Sequence, residues 1–104
     1  TCEDQEDHVA MSTTAARRAA RGLENSRRVI AIEMQGAVRA LQFRTMELSS
    51  VQLGAGTAKG FQRALAVLED LGEYPTPSDE IEALNEWIRS GSHREVVMGL
   101  EAVK

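Results

Sequence analysis

The sequence contains few of the residues that mark several protein classes. Its 104 residues include one cysteine, two prolines, one tryptophan, one tyrosine and two phenylalanines. Because the single Cys2 cannot form a disulfide within the chain, a disulfide-stapled fold is excluded and a reducing, cytoplasmic compartment is expected. No apolar run approaches the roughly 18–20 residues that a membrane span needs, so a membrane partner is not expected either.

A large excess of charge of one sign is also lacking, since the net charge is only −4. This mildly acidic balance argues against a general nucleic-acid-binding protein, which is usually basic. The charges are nevertheless segregated: residues 3–7 are mostly acidic, and five arginines follow at Arg17, Arg18, Arg21, Arg27 and Arg28. The preferred interpretation of the arginines is a solvated helix face, and a basic helix that binds nucleic acid is the alternative.

A long helix is predicted over residues 12–44. The segment has no proline and is rich in alanine, arginine, glutamate and leucine, which lose little side-chain freedom in a helix. Two series with a seven-residue repeat form a predicted apolar seam: Ala16, Leu23, Ile30 and Ala37, and Ala20, Arg27, Met34 and Leu41. Val29, Ile32 and Val38 add apolar surface outside this seam. A rod of about 48 Å is too long for a compact domain of this size, so cover from other subunits or from further chain is expected.

Residues 45–104 are predicted to form two to four shorter helices. Gly54 and Gly56 indicate a break, and the spacing of Phe61, Leu65, Leu68 and Leu71 predicts a helix closed by Gly72.

A second short helix is predicted to begin at Thr76 as N-cap, with Pro77 and Asp79 in its first turn, and to end at Gly91. Its predicted inward face consists of Ile81, Leu84 and Ile88. A capping box at Ser92 and Glu95 predicts a further helix. No strand pattern is present, so the predicted fold class is all-α.

Motifs for chemistry are scarce. There is no phosphate-binding glycine loop, no nucleophile elbow and no metal-ligand spacing. One short segment, Gln5-Glu6-Asp7-His8, brings several proton-handling groups together just ahead of the predicted long helix. Because acids near a helix N-terminus are stabilised by its dipole, the simplest interpretation is a capping and solubility segment.

This segment and three later markers resemble the aromatic amino acid lyase family, and within it the histidine ammonia-lyases. The markers are Gln5-Glu6-Asp7-His8-Val9-Ala10-Met11, Glu24-Asn25, Ala31-Ile32-Glu33 and Phe43-Arg44. The family pattern begins Gln-Glu-Asp-His-Val-Ser-Met and continues into a long helix. The chain departs from it at Asp4, where many members have Asn, and at Ala10, where Ser is usual. The resemblance covers about residues 4–44.

Glu6 separates the subfamilies in this comparison. Lyases of phenylalanine and tyrosine, and the related aminomutases, resemble Asn-Gln-Asp-Val here and place an amide at the position of Glu6. A carboxylate suits an imidazole substrate, because it can accept a hydrogen bond from the ring N–H and can balance the positive charge of the ring. The resemblance therefore favours histidine, with another aromatic amino acid as the alternative substrate.

The resemblance also implies roles for the site residues. Glu6 is expected to be catalytic and to bind substrate, contacting the imidazole or assisting removal of a β-proton, and a raised pKa would suit that task. Gln5 is expected to support substrate binding by hydrogen bonding. For Asp7 and His8, helix capping or orientation of neighbouring groups is favoured over direct catalysis. No metal is expected.

The family's electrophile, a methylidene-imidazolone, forms from an Ala-Ser-Gly sequence that these 104 residues do not contain. We therefore expect the C-terminal part of a larger helical enzyme, with residues 1–11 as active-site segment, 12–44 as central-bundle helix and 45–104 as peripheral helical region. Alone it is expected to be inactive. The resemblance implies a homotetramer acting in histidine catabolism, eliminating ammonia from L-histidine to give trans-urocanate. A non-catalytic helical oligomerisation module is the alternative.

Overall fold

The computed structural model describes residues 2–48 and 51–98, and for residues 2–10 and 97 it describes the backbone alone. Over these residues the chain forms four helices in sequence: α1 (Cys2–Glu47), α2 (Ala55–Glu69), α3 (Pro77–Ser90) and α4 (Arg94–Val97). The prediction of an all-α fold with one long helix and two to four shorter ones is confirmed.

Helix α1 is longer than the sequence predicted. It was expected to begin at residue 12 and to end near residue 44, whereas it runs from Cys2 to Glu47. No proline interrupts the added turns, and acidic residues near position 3 are favourable at a helix N-terminus. The segment taken as preceding the helix is therefore its first turns, and residues 45–47 also belong to α1 rather than to the following region.

The capping residues at both ends of α3 were predicted correctly. Thr76 is the N-cap: its hydroxyl accepts a hydrogen bond from the Asp79 backbone N–H at 3.1 Å, and the Asp79 carboxylate accepts one from the Thr76 N–H at 3.0 Å. Gly91 ends the helix with φ of 84°, a left-handed conformation that favours glycine. Both ends of α3 are thus fixed by residues within four positions of the helix.

The other short helices differ more from expectation. Helix α2 ends at Glu69, and Gly72 follows with φ of 86°, which confirms the left-handed glycine after this helix. The capping box predicted at Ser92 and Glu95 is wrong, because α4 has His93 as its N-cap and no side-chain cap. The 3₁₀-like turn that links Gly91 to α4 starts the new helix one residue later than the sequence pattern suggested.

The core lies where α2 and α3 pack against the second half of α1. Its buried apolar residues are Ala31, Val38, Ala64, Leu68 and Leu84. Leu84 lies in the predicted inward face of α3, and Ile81 and Ile88 pack against it half-buried. The seam predicted on α1 is covered only in part: Met34 is half-buried against the core, whereas Leu23 and Ile30 are 65% and 52% exposed.

The correction to the seam has a simple geometric reason. Ala31 and Val38 are one seven-residue repeat apart, like the predicted series, but on an adjacent side of the helix. Since α1 carries apolar residues on several sides, periodicity alone does not select the side that a neighbouring helix covers.

The assembled helices are elongated. The principal-axis extents are 71 × 34 × 21 Å and the radius of gyration is 19.3 Å, against about 13 Å for a compact domain of 100 residues. Among the described residues no helix is long and apolar enough to cross a bilayer.

Candidate functional site

The structure places Gln5, Glu6, Asp7 and His8 in the first turns of α1. Successive helix positions are rotated by about 100°, so positions 5 and 8 lie on one side while 6 and 7 lie on others. The side chains of all four lie outside the described residues, as does any contact between them. Their predicted roles therefore stay predictions, and what the structure adds is that a helix carries them.

The helix holds this segment far from the described parts of α2, α3 and α4. All side chains from residue 11 to residue 26 are exposed, and the first ion pair to another helix joins Arg28 to Glu82. At 1.5 Å per residue, Glu6 lies about 33 Å along the axis from Arg28. The described parts of α2–α4 therefore add no group to the Gln5–His8 segment.

An apolar groove lies at the other end of α1. It has a volume of about 250 Å³ and runs between Met34 and Leu41 of α1, Phe61 of α2, Trp87 of α3 and His93 beside α4. The Trp87 and His93 rings meet edge to face, with centroids 6.2 Å apart and planes at 68°. A groove lined by apolar surface and one imidazole has no acid–base pair, so it offers shape rather than catalysis.

A second, more open cleft of about 450 Å³ is acidic. Glu73, Asp79 and Glu82 line it together with Tyr74. The hydrogen bonds between the Asp79 carboxylate and the Thr76 backbone and side chain lower the pKa of Asp79. This carboxylate therefore serves as part of the cap of α3. No group of three or more histidine, cysteine or acidic residues in the described chain is arranged to hold a metal ion.

One polar cluster was missed by the sequence analysis. Glu80 is 4% exposed, its carboxylate forms an ion pair with Arg39, and it accepts a hydrogen bond from the Gln35 amide at 3.5 Å. Asn85 is buried as well, 8% exposed. Both residues lie in the segment predicted as the second short helix, and this position was the available signal. They were missed because the inward face of that helix was predicted from Ile81, Leu84 and Ile88 alone. The cluster joins α1 to α3 and contains no group near Glu6.

Comparison with known proteins decides the family. The sequence pattern of the aromatic amino acid lyases matches residues 1–68, which include the Gln5–His8 segment, all of α1 and nearly all of α2. The chain belongs to the aromatic amino acid lyase family. The predicted resemblance is thereby confirmed, and it extends beyond residue 44, where the sequence analysis had placed its end.

Individual members of the aromatic amino acid lyase family are similar over most of this chain. The chain is 40% identical to the histidine ammonia-lyase of Symbiobacterium thermophilum over 100 residues, which are 96% of this chain and 18% of the relative. It is 37% identical to that of Bacillus subtilis over 89 residues, 86% of this chain and 17% of the relative. No solved structure is significantly similar to it.

The chain therefore spans less than a fifth of the length of the curated aromatic amino acid lyases it matches, and the match lies in their C-terminal part. Lyases of this type carry an electrophile derived from their own chain. The 104 residues here contain no Ala-Ser-Gly sequence from which such a group could form. These 104 residues therefore do not supply the electrophile themselves.

Proposed function

We propose that this chain is the C-terminal part of a histidine ammonia-lyase, which eliminates ammonia from L-histidine to give trans-urocanate. Two observations support the proposal. The relatives that cover most of the chain at 33–40% identity are named histidine ammonia-lyases. Glu6 supplies a carboxylate at the position where the resemblance gives phenylalanine and tyrosine lyases an amide, and a carboxylate suits an imidazole ring.

Glu6 is the residue to which we assign the chemistry. Its carboxylate is proposed to accept a hydrogen bond from the imidazole N–H of the substrate, or to assist removal of the β-proton when ammonia is eliminated. In the whole enzyme, the electrophile would supply the activation that turns the amino group of the substrate into a leaving group, and these 104 residues contain no sequence from which it forms. Gln5 is proposed to bind substrate through its amide, and Asp7 and His8 to cap α1 or to orient Gln5 and Glu6.

Assembly is part of the proposal. Sixteen successive residues of α1, residues 11–26, are exposed. We propose that further chain and other subunits of a homotetramer cover them, and that the isolated 104 residues are inactive. The observation that carries this inference is exposure of Leu23 and Ile30 on a helix that continues into the segment with Glu6.

A chimera tests the assignment directly. The matching C-terminal segment of the Bacillus subtilis relative is replaced by this chain, and urocanate formation from L-histidine is measured with Glu6 intact and with Glu6→Gln. We expect turnover in the first protein and a loss of about 10²–10⁴-fold in kcat in the second, the range for a group that takes part in proton transfer. Glu3→Gln is the matched control, because it makes the same change one turn earlier in the same helix.

The contrary outcomes are distinct. An equal loss of kcat in Glu3→Gln and Glu6→Gln would mean that Glu6 contributes only to the overall negative charge of the segment. Full turnover in Glu6→Gln would remove Glu6 from the mechanism. Faster reaction of the intact chimera with L-phenylalanine or L-tyrosine than with L-histidine would replace histidine by another aromatic amino acid as substrate.

The exposed side chains of α1 also favour the second candidate, a helical oligomerisation module without catalysis. Sedimentation of the isolated chain, with and without Leu23→Lys and Ile30→Lys, measures self-association. Both candidates predict self-association that the substitutions abolish, whereas a stably helical monomer contradicts assembly through this side of α1. An inactive chimera that folds and assembles would favour the module over the lyase.

A further inference from the structure

Opposite charges are concentrated in two exposed regions of the chain. Residues 11–28 of α1, the basic segment, carry five arginines and one glutamate, and all of them but Arg27 are exposed. Residues 69–82, the acidic corner, comprise the end of α2, the turn after it and the start of α3. They carry six acidic residues and no basic one, and all six but Glu80 are exposed. The small net charge of the chain therefore results from two large, separate charges.

Within one chain the two regions meet only in part. Arg28 forms an ion pair with Glu82. Arg17 and Arg21 lie on the same side of α1 as Arg28, because the three residues are four and seven positions apart. Neither forms an ion pair with any side chain that the structure describes. At 1.5 Å per residue, Arg17 lies about 16 Å along the axis from Arg28, so the acidic corner of the same chain stays at the Arg28 end of the basic segment.

The acidic corner also presents an exposed aromatic ring. Tyr74 is 93% exposed and has φ of 55°, a left-handed conformation that is uncommon for a residue other than glycine. Glu73 lies beside it in the open cleft of about 450 Å³. Arginine pairs with carboxylates and stacks on aromatic rings, so a partner with exposed arginines suits this corner. The basic segment has these arginines and, in Leu23, a large apolar side chain that is 65% exposed.

We propose that the acidic corner of a second copy of this chain covers the basic segment of α1, and that the contact is mutual. Two antiparallel copies of α1 related by a two-fold axis near Glu24 bring the level of Arg28 in one copy to the level of Ala20 in the other. Each acidic corner then faces Arg17 and Arg21 of the other copy, and the same two surfaces are used twice. This pairing rests on the assembly proposed above and names the surface that covers residues 11–26.

Charge reversal tests the pairing, with the dissociation constant of the dimer measured by sedimentation equilibrium at low ionic strength. One variant carries Arg17→Glu and Arg21→Glu, and the other carries Asp70→Lys and Glu73→Lys. Each variant alone is expected to dimerise at least about tenfold more weakly, because like charges then face each other. An equimolar mixture is expected to recover association to within about threefold of the unsubstituted chain, because both reversed surfaces meet their complements in the mixed dimer.

The matched control carries Arg44→Glu and Arg89→Glu, which change the net charge as much as the first variant but lie outside both surfaces. Its dissociation constant is expected to stay within about threefold of the original value, because exposed charges far from a contact are largely screened. An equal weakening in this control, or a mixture that does not recover association, would overturn the pairing. Both results leave the role of Glu6 untouched, because mass and not turnover is measured.

Two further outcomes would also count against the pairing. An unsubstituted chain that is monomeric at every concentration would overturn it together with the assembly proposed above, while urocanate formation by the chimera would remain the separate test of the lyase. The other is a nucleic-acid partner. If Arg17→Glu with Arg21→Glu leaves the dimer intact but abolishes salt-dependent binding of a DNA oligonucleotide, the basic segment serves nucleic acid and the pairing is wrong.

Discussion

The two halves of α1 have the same secondary structure and opposite surroundings. Residues 11–26 are exposed throughout, whereas Ala31 and Val38 in the second half are 0% and 3% exposed. Both halves contain alanine, arginine and large apolar residues at helical spacing. The difference therefore comes from the presence of α2 and α3 beside one half, and it shows that helix formation and helix burial are set by different parts of the sequence.

The largest expected difference in stability between the exposed and the packed region comes from truncating one leucine in each. Leu84→Ala removes a fully buried side chain of α3 and is expected to lower the free energy of unfolding by about 2–5 kcal/mol. At a concentration low enough for the chain to be monomeric, Leu23→Ala on the exposed half of α1 is expected to change it by less than about 0.5 kcal/mol. Urea titration followed by circular dichroism measures both; equal losses would mean that Leu23 is buried in solution, by self-association or otherwise.

The same glycine-to-alanine change should have opposite signs in the two regions. Gly91 has φ of 84°, so Gly91→Ala is expected to cost about 1–2 kcal/mol through backbone strain, since an added Cβ would meet only the Arg94 Cδ at 4.0 Å. Gly22 lies inside the exposed half of α1 with open space around it, and Gly22→Ala is expected to favour the helix by up to about 1 kcal/mol. Thermal unfolding and helical content measure the two effects, and a gain at Gly91 would contradict the left-handed cap.

The smallest expected effect is a pH dependence confined to the packed region. The pKa of Asp79 is lowered in the folded chain, so its ionised carboxylate stabilises the fold at pH values above the pKa of the unfolded chain. This contribution is lost as the pH falls through the lower, folded pKa. The stability difference between the unsubstituted chain and Asp79→Asn should therefore shrink between about pH 5 and about pH 2. A difference that is constant over this range would show that the cap does not depend on the charge.

What could be predicted from the sequence is what a few neighbouring residues determine. Thr76, Pro77 and Asp79 define the start of α3 because both capping hydrogen bonds join residues three apart. Gly72 and Gly91 were identified because a left-handed residue after a helix favours glycine. Ser92 and Glu95 have the same local pattern, but the turn after Gly91 places His93 at the start of α4 instead.

Features that depend on distant residues could not be predicted in this way. Val38 was placed outside the apolar seam, and it is buried in the core that α2 and α3 form with α1. Glu80 was not identified because its burial depends on Arg39, 41 positions earlier in the chain. The Gln5–His8 segment was identified by its resemblance to a family pattern, whereas its position in the first turns of α1 needed the structure.

The extents of 71 × 34 × 21 Å have a practical consequence for any measurement of assembly. A rod-like particle experiences more friction than a sphere of equal mass, so a monomer of this chain should elute early from a gel-filtration column, at the volume of a globular protein of greater mass. Light scattering or sedimentation equilibrium, which report mass independently of shape, would distinguish a single elongated chain from a dimer.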